Sequence, residues 1–119
     1  MRQIIAGGPR TGKTTLAMKS GGTVLHTDDL ISMGWSEASQ FIADDWMKRQ
    51  QFCIEGIATV RALRKWLEAN PSGKPCDEVI WLDIPKVSRE KGQETMAKGC
   101  LKVWNEIRPE LALRGVRIK

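Results

Sequence analysis

The stretch Gly7-Gly8-Pro9-Arg10-Thr11-Gly12-Lys13-Thr14 decides the fold. It fits the pattern G-x-x-x-x-G-K-[S/T], and its flanks give that pattern meaning. The apolar run Ile4-Ile5-Ala6 precedes it, and a helix is expected to follow through Thr14, Leu16, Ala17 and Met18. A strand that turns through glycines into a helix points successive backbone N–H groups into one concavity, and the unpaired N–H groups and dipole of the helix start reinforce it. Such a nest takes phosphate oxygens. Lys13 adds a point charge for the β- and γ-phosphates, and the Thr14 hydroxyl is placed to coordinate Mg²⁺. Gly7, Gly8, Pro9, Arg10, Thr11, Gly12, Lys13, Thr14 and Thr15 are therefore the expected cradle for ATP or another nucleoside triphosphate.

Outward from this turn, apolar segments of strand length alternate with amphipathic helices. Gly21-Gly22 is expected to stop the first helix, and a short strand follows over 23–26. Ser36 reads as the N-cap of a helix carrying Ala38, Phe41, Ile42 and Trp46 on one face. Phe52-Cys53-Ile54 reads as a strand. Val60, Leu63, Trp66 and Leu67 then share one helical face, closed by Asn70-Pro71-Ser72-Gly73. Val79-Ile80-Trp81-Leu82 is the most strand-like run of all. Met96, Cys100, Val103, Trp104 and Ile107 place a last helix that ends at Arg108-Pro109, and Val116 and Ile118 suit a terminal strand. Strands separated by helices must be parallel, because parallel neighbours need long crossovers. The expected architecture is one α/β domain, a three-layer α/β/α sandwich whose mostly parallel sheet has four to five strands.

Composition narrows the function classes. The chain has 119 residues, 41% hydrophobic and 28% charged, the balance of a globular protein. No apolar run reaches the roughly 20 residues needed to span a bilayer, and no leader pattern opens the chain. Three cysteines, Cys53, Cys76 and Cys100, without C-x-x-C spacing, argue for free thiols and a cytoplasmic setting. The lone His26 excludes a histidine-rich metal cluster. Residues 1–60 carry six Lys/Arg and six Asp/Glu, so the whole +5 excess lies in 61–119. A basic half suits an anionic partner: a nucleotide, a phosphorylated substrate or nucleic acid. No sequence-reading nucleic-acid motif accompanies it.

Through residues 4–20 the chain resembles the P-loop NTPase superfamily, and within it the small P-loop kinases that act on nucleosides, nucleotides, shikimate-type acids and polynucleotide ends. Three shorter segments carry the narrower likeness: His26-Thr27-Asp28-Asp29-Leu30, Phe52-Cys53-Ile54-Glu55-Gly56 and Val79-Ile80-Trp81-Leu82-Asp83-Ile84-Pro85. The resemblance implies that Asp28, with Asp29 second, orients and deprotonates an acceptor hydroxyl. The carboxyl edge of a parallel sheet is where ligands bind, and a carboxylate there can take a proton from an alcohol. An acid beside Mg²⁺ has two candidates. Pattern alone favours Asp83, whereas the resemblance puts the third strand next to the first and so favours Glu55.

The stretch from Lys86 to Lys98 lies where these kinases carry a lid. The resemblance makes Arg89 and Lys91 candidates for neutralising charge on the transferring phosphoryl group, with Arg10 a further phosphate contact. Four of the five tryptophans, Trp46, Trp66, Trp81 and Trp104, read as core. Trp35, following Gly34, reads either as a wall of the acceptor site or as an apolar staple at a helix start.

Small kinases of this kind also grip adenine with a segment beyond the fifth strand. Here the sequence stops at Arg117-Ile118-Lys119, so loose base specificity, or a base contact from a partner subunit, is expected. The leading reading is a Mg²⁺-dependent kinase acting on a small hydroxyl-bearing or nucleotide-like acceptor or a nucleic-acid 5′ end. A reduced NTPase that drives a protein partner and a nucleotide-binding interaction module without turnover stay open beside it.

Overall fold

A computed structural model describes residues 1–19, 22–85 and 88–119. Five strands, β1 (Arg2–Gly7), β2 (Leu25–His26), β3 (Phe52–Glu55), β4 (Glu78–Leu82) and β5 (Arg117–Ile118), form one sheet in the order β2-β3-β1-β4-β5. Every pairing is parallel. Four helices, α1 (Lys13–Met18), α2 (Trp35–Asp44), α3 (Thr59–Ala69) and α4 (Lys91–Leu113), supply the crossovers. The central strand β1 is buried on both faces, which is why Ile4-Ile5-Ala6 is continuously apolar rather than alternating. Ile5 and Cys53 pack with Ala17 of α1 on one side. Ile4, Ile54 and Val79 face the other side, where Ile42, Leu63, Trp104 and Leu111 from α2, α3 and α4 close the main core. The result is the expected three-layer α/β/α fold, with the phosphate loop after β1.

Local details depart from the sequence reading where tertiary packing outweighs local signals. The strand expected over 23–26 keeps only Leu25 and His26, because β2 is an edge strand with β3 as its single neighbour. Gly21, expected to stop α1, lies outside the described residues. Gly34, not Ser36, caps α2, which begins at Trp35, and a seven-residue 3-10 helix over Thr27–Met33 leads into it. Trp46 sits in a following 3-10 turn, Trp46–Lys48, where it is still buried.

The largest departure is α4, which runs through Pro109 to Leu113 instead of ending at Arg108-Pro109. A mid-helix proline forfeits one backbone hydrogen bond. The turn beyond it seats Leu111 in the core at 0% exposure, and the Arg114 guanidinium donates to the Asn70 carbonyl at 2.7 Å. Those contacts offset the loss. Of the tryptophans read as core, Trp46 and Trp104 are buried. Trp66 and Trp81 are half-buried, and Trp81 stacks on Trp104 at 5.1 Å between centroids. Among the described residues, no helix is long and apolar enough to cross a membrane.

Candidate functional site

The phosphate loop leaves the sheet between β1 and β4. Gly7 has φ +150°, and a Cβ there would collide with the Leu82 carbonyl, so only glycine lets the chain turn out at this point. Arg10 is exposed and takes a left-handed φ of +61°, the one non-glycine among the described residues to do so. Strained backbone of this kind concentrates at loops held for a purpose. α1 starts at Lys13 and directs its first N–H groups back into the loop. Thr11 Oγ1 donates to the Gly8 carbonyl at 2.9 Å, and Lys13 Nζ donates to the same oxygen at 2.5 Å. Lys13 is 7% exposed, and burial pushes the pKa of its ammonium down from 10.5 against the pull of Glu55, Cys100 and Asp28. A desolvated cation whose direct partners are a carbonyl and a hydroxyl has room for a better one, an anion.

β3 delivers Glu55 next to this loop. Its register places Glu55 opposite Ile5 of β1 and His26 of β2. Glu55 is 3% exposed; its Oε1 accepts from Thr14 Oγ1 at 3.3 Å and lies 2.7 Å from His26 Nδ1. Gly56 then turns the chain away with φ +139°, and a side chain there would strike Thr27 Oγ1. Asp83 fares differently. β4 runs on until Leu82 stands opposite Gly7, so Asp83 passes the end of the sheet and is exposed. Its carboxylate has no hydrogen-bond or ion-pair partner among the described residues. Thr14 and Glu55 are thus the pair of oxygen donors beside the loop. No three His, Cys, Asp or Glu side chains among the described residues form a metal cage. Two protein oxygens suit Mg²⁺, which fills its remaining positions with water and phosphate oxygens.

Besides a cavity of about 190 Å³ that Asp83 lines with Gly8 and Arg89, two cavities flank the loop. One, of about 320 Å³, is lined by Thr11, Gly12, Thr15, Leu16, Lys19 and Leu82. The other, of about 370 Å³, is lined by Pro9, Asp28, Ile31, Trp35, Ile57 and Met96 together with Gln93. Asp28 and Asp29 are both exposed at the start of the 3-10 helix, and Asp28 is the one that lines this cavity. Trp35 is the first residue of α2 and also lines this cavity.

Arg89 precedes α4, and its Nε donates to the Pro9 carbonyl at 2.7 Å. It packs so closely on the loop that a Cβ at Gly8 would lie 2.9 Å from its guanidinium. Glu94 lies 3.9 Å from it on the far side. Lys91 is exposed on the first turn of α4, and Lys86 lies outside the described residues.

Lys13, Thr14 and Glu55 thus meet at the loop, Asp28 lines a cavity with Pro9, Asp83 lines another with Gly8 and Arg89, and Lys91 lines neither. Sequence reasoning missed His26 as the partner of Glu55; its signal was its place at the end of β2, level with the end of β3. It also missed Ile31, Ile57 and Met96 as cavity wall. Met96 shares the helical periodicity of the core residues that follow it, and no sequence signal separates the two roles.

No family model matches the sequence, and no curated protein matches it either. Among solved structures, the shikimate kinase of Acinetobacter baumannii, in complex with shikimate, has a similar fold with a TM-score of 0.55. The likeness covers 98% of this chain and 80% of that one at 15% identity, so what the two share is the P-loop kinase-like fold.

Proposed function

We propose that this chain is a Mg²⁺-dependent phosphotransferase, a small kinase that moves the γ-phosphoryl group of ATP or another nucleoside triphosphate onto a hydroxyl. The acceptor is a small hydroxyl-bearing molecule, a nucleotide-like one or a nucleic-acid 5′ end. The observation that carries this reading is that the phosphate loop, through Pro9, and the carboxylate of Asp28 line one open cavity. A loop built only to bind or hydrolyse a nucleotide does not require a second walled cavity with its own acid. The kinase of like fold, described with shikimate bound, supports transfer to a small molecule. The three cysteines, all buried and joined by no disulfide among the described residues, suit a cytoplasmic enzyme.

In this reading the loop amides and Lys13 bind the β- and γ-phosphates. Thr14 and Glu55 would hold Mg²⁺, which neutralises phosphate charge when bound. Asp28 accepts the proton of the acceptor hydroxyl as its oxygen attacks the γ-phosphorus, and the nucleoside diphosphate departs. Arg89, released from the Pro9 carbonyl, offsets charge on the transferring oxygens. His26 holds Glu55 in orientation through its ring nitrogen.

The test follows γ-labelled phosphate from ATP with Mg²⁺, alone and with nucleosides, nucleotides and 5′-hydroxyl oligonucleotides. Label on an acceptor is the expected result, and Asp28→Asn should keep nucleotide binding while lowering transfer by about 100-fold or more. Label released only as free phosphate would replace the kinase with an NTPase. Binding without turnover would leave a nucleotide-binding module.

A further inference from the structure

Five arginines among the described residues are half-buried: Arg2, Arg61, Arg64, Arg89 and Arg114. Four of them have a carboxylate within ion-pair reach, namely Asp77, Glu106, Glu94 and Glu110 in turn. Arg61 has neither an ion-pair nor a hydrogen-bond partner among the described residues. Its guanidinium lies 5.8 Å from the ring centroid of Trp35, and it passes 3.6 Å from the point where a Cβ on Gly99 would be. It stands four residues on from Ile57, and Gly99 stands three on from Met96; Ile57, Met96 and Trp35 all line the Asp28 cavity. Arg61 therefore stands next to the cavity, in contact with its wall through Trp35. Its charge is also felt at the Cys100 thiol together with those of Lys13 and Arg89, although burial is what chiefly moves that thiol, upward.

A partly desolvated guanidinium without an anion is costly, and its fork of donors fits carboxylate or phosphate oxygens. The cavity it backs is mainly apolar and includes an indole, so its wall favours a flat body over a heavily hydroxylated one. An anion entering beside Asp28 and Glu55 is repelled by both unless a cation offsets them. We infer that Arg61, laid on Trp35, recognises an anionic group on the acceptor, so that the substrate is a flat hydroxyl-bearing molecule carrying a carboxylate or a phosphate. This deepens the kinase reading and rests on it for the identity of the cavity.

The experiment uses the full chain with ADP and Mg²⁺ at saturation, so that the phosphate loop is already occupied, and reads binding by calorimetry. ADP binding is measured first; its absence would sink the kinase reading without touching Arg61. Two probe pairs follow: thymidine monophosphate against thymidine, and para-hydroxymethylbenzoate against its amide. At least one anionic probe should bind about tenfold or more tightly than its neutral partner. The pair that discriminates tells phosphate from carboxylate.

Arg61→Gln should erase that difference while leaving the neutral probe within about twofold. Arg61→Lys, which keeps the charge and loses the planar fork, should retain part of it. Equal affinity within both pairs, binding by none of the probes, or a preference that survives Arg61→Gln would each overturn the assignment. The comparison on the unmodified chain stands whether or not Arg61→Gln folds.

Discussion

Glu78 and Glu55 are buried to the same depth, 2% and 3% exposed, at opposite ends of one sheet. Glu78 opens β4 at the amino edge. It is met by Lys119 Nζ at 2.9 Å, an ion pair, and by Gln3 Nε2 at 2.7 Å, and its pKa is held below 4.5, chiefly by Lys119, in spite of desolvation. Its neighbour Asp77 accepts from the Arg2 backbone and guanidinium. Glu55 closes β3 at the carboxyl edge, where its direct partners among the described residues are a hydroxyl and an imidazole. Lys13, which feels the charge of Glu55, and Arg61 of α3 also lack a carboxylate within ion-pair reach among the described residues. At the amino edge Glu78 and Asp77 have a permanent cation in contact. At the carboxyl edge Glu55, Lys13 and Arg61 have no permanent opposite charge within ion-pair reach among the described residues, Arg89 with Glu94 being the exception. A buried acid with a permanent cation is a fastening. One without such a cation marks the edge where ligands of parallel sheets bind.

That contrast is most easily broken at Lys13. Lys13→Ala should weaken triphosphate binding, measured by calorimetry, by about 100-fold or more, because the cation lies inside the loop and no other side chain there replaces it. Glu78→Gln should leave the same binding unchanged; a loss there would mean that the two edges are coupled. A smaller effect sharpens the choice between the two acids that follow the strands flanking β1. Glu55→Gln keeps the shape and the contacts with His26 and Thr14, and should lower Mg²⁺-dependent turnover by about 30- to 100-fold. Asp83→Asn, at an exposed and unpartnered carboxylate, should change turnover by less than about twofold. The reverse ranking would transfer the metal-side role to Asp83.

The ranking of those acids shows how far the sequence is legible. Gly7 to Thr14 announces its own geometry, since each glycine and the lysine has a local job, and the strand–helix alternation around it fixes a parallel sheet. Phe52–Glu55 and Val79–Asp83 have the same local pattern, an apolar run and then an acid. What separates them is register: β3 stops level with Ile5, while β4 runs on level with Gly7. Register is set by pairing across 50 or more positions, which no local window contains. Arg61 is unreadable for the same reason. Its meaning lies in the absence of a carboxylate that each of the other half-buried arginines has found on a distant element or one helical turn away. Pro109 errs in the opposite direction: its local signal is clear, but the burial of Leu111 outweighs it.

The smallest expected effect tests the amino edge itself. Glu78→Gln should cost about 1–2 kcal/mol in urea unfolding at neutral pH, because it removes a charge-assisted bond from a buried acceptor while Lys119, largely exposed, returns to water. The folded-state pKa of Glu78 lies below its ordinary 4.5, so the folded protein holds this proton less tightly than the unfolded chain does. The stabilisation is therefore complete above that ordinary value and is lost as pH falls through the folded one. The gap between the unmodified protein and Glu78→Gln should close on acidification below the ordinary 4.5, as the lowered folded-state value is passed. Glu55→Gln, which removes a buried carboxylate lacking a cation, should leave stability within about 0.5 kcal/mol or raise it. If instead Glu55→Gln destabilises as much as Glu78→Gln, the carboxyl-edge acid is a fastening too, and the division between the two edges fails.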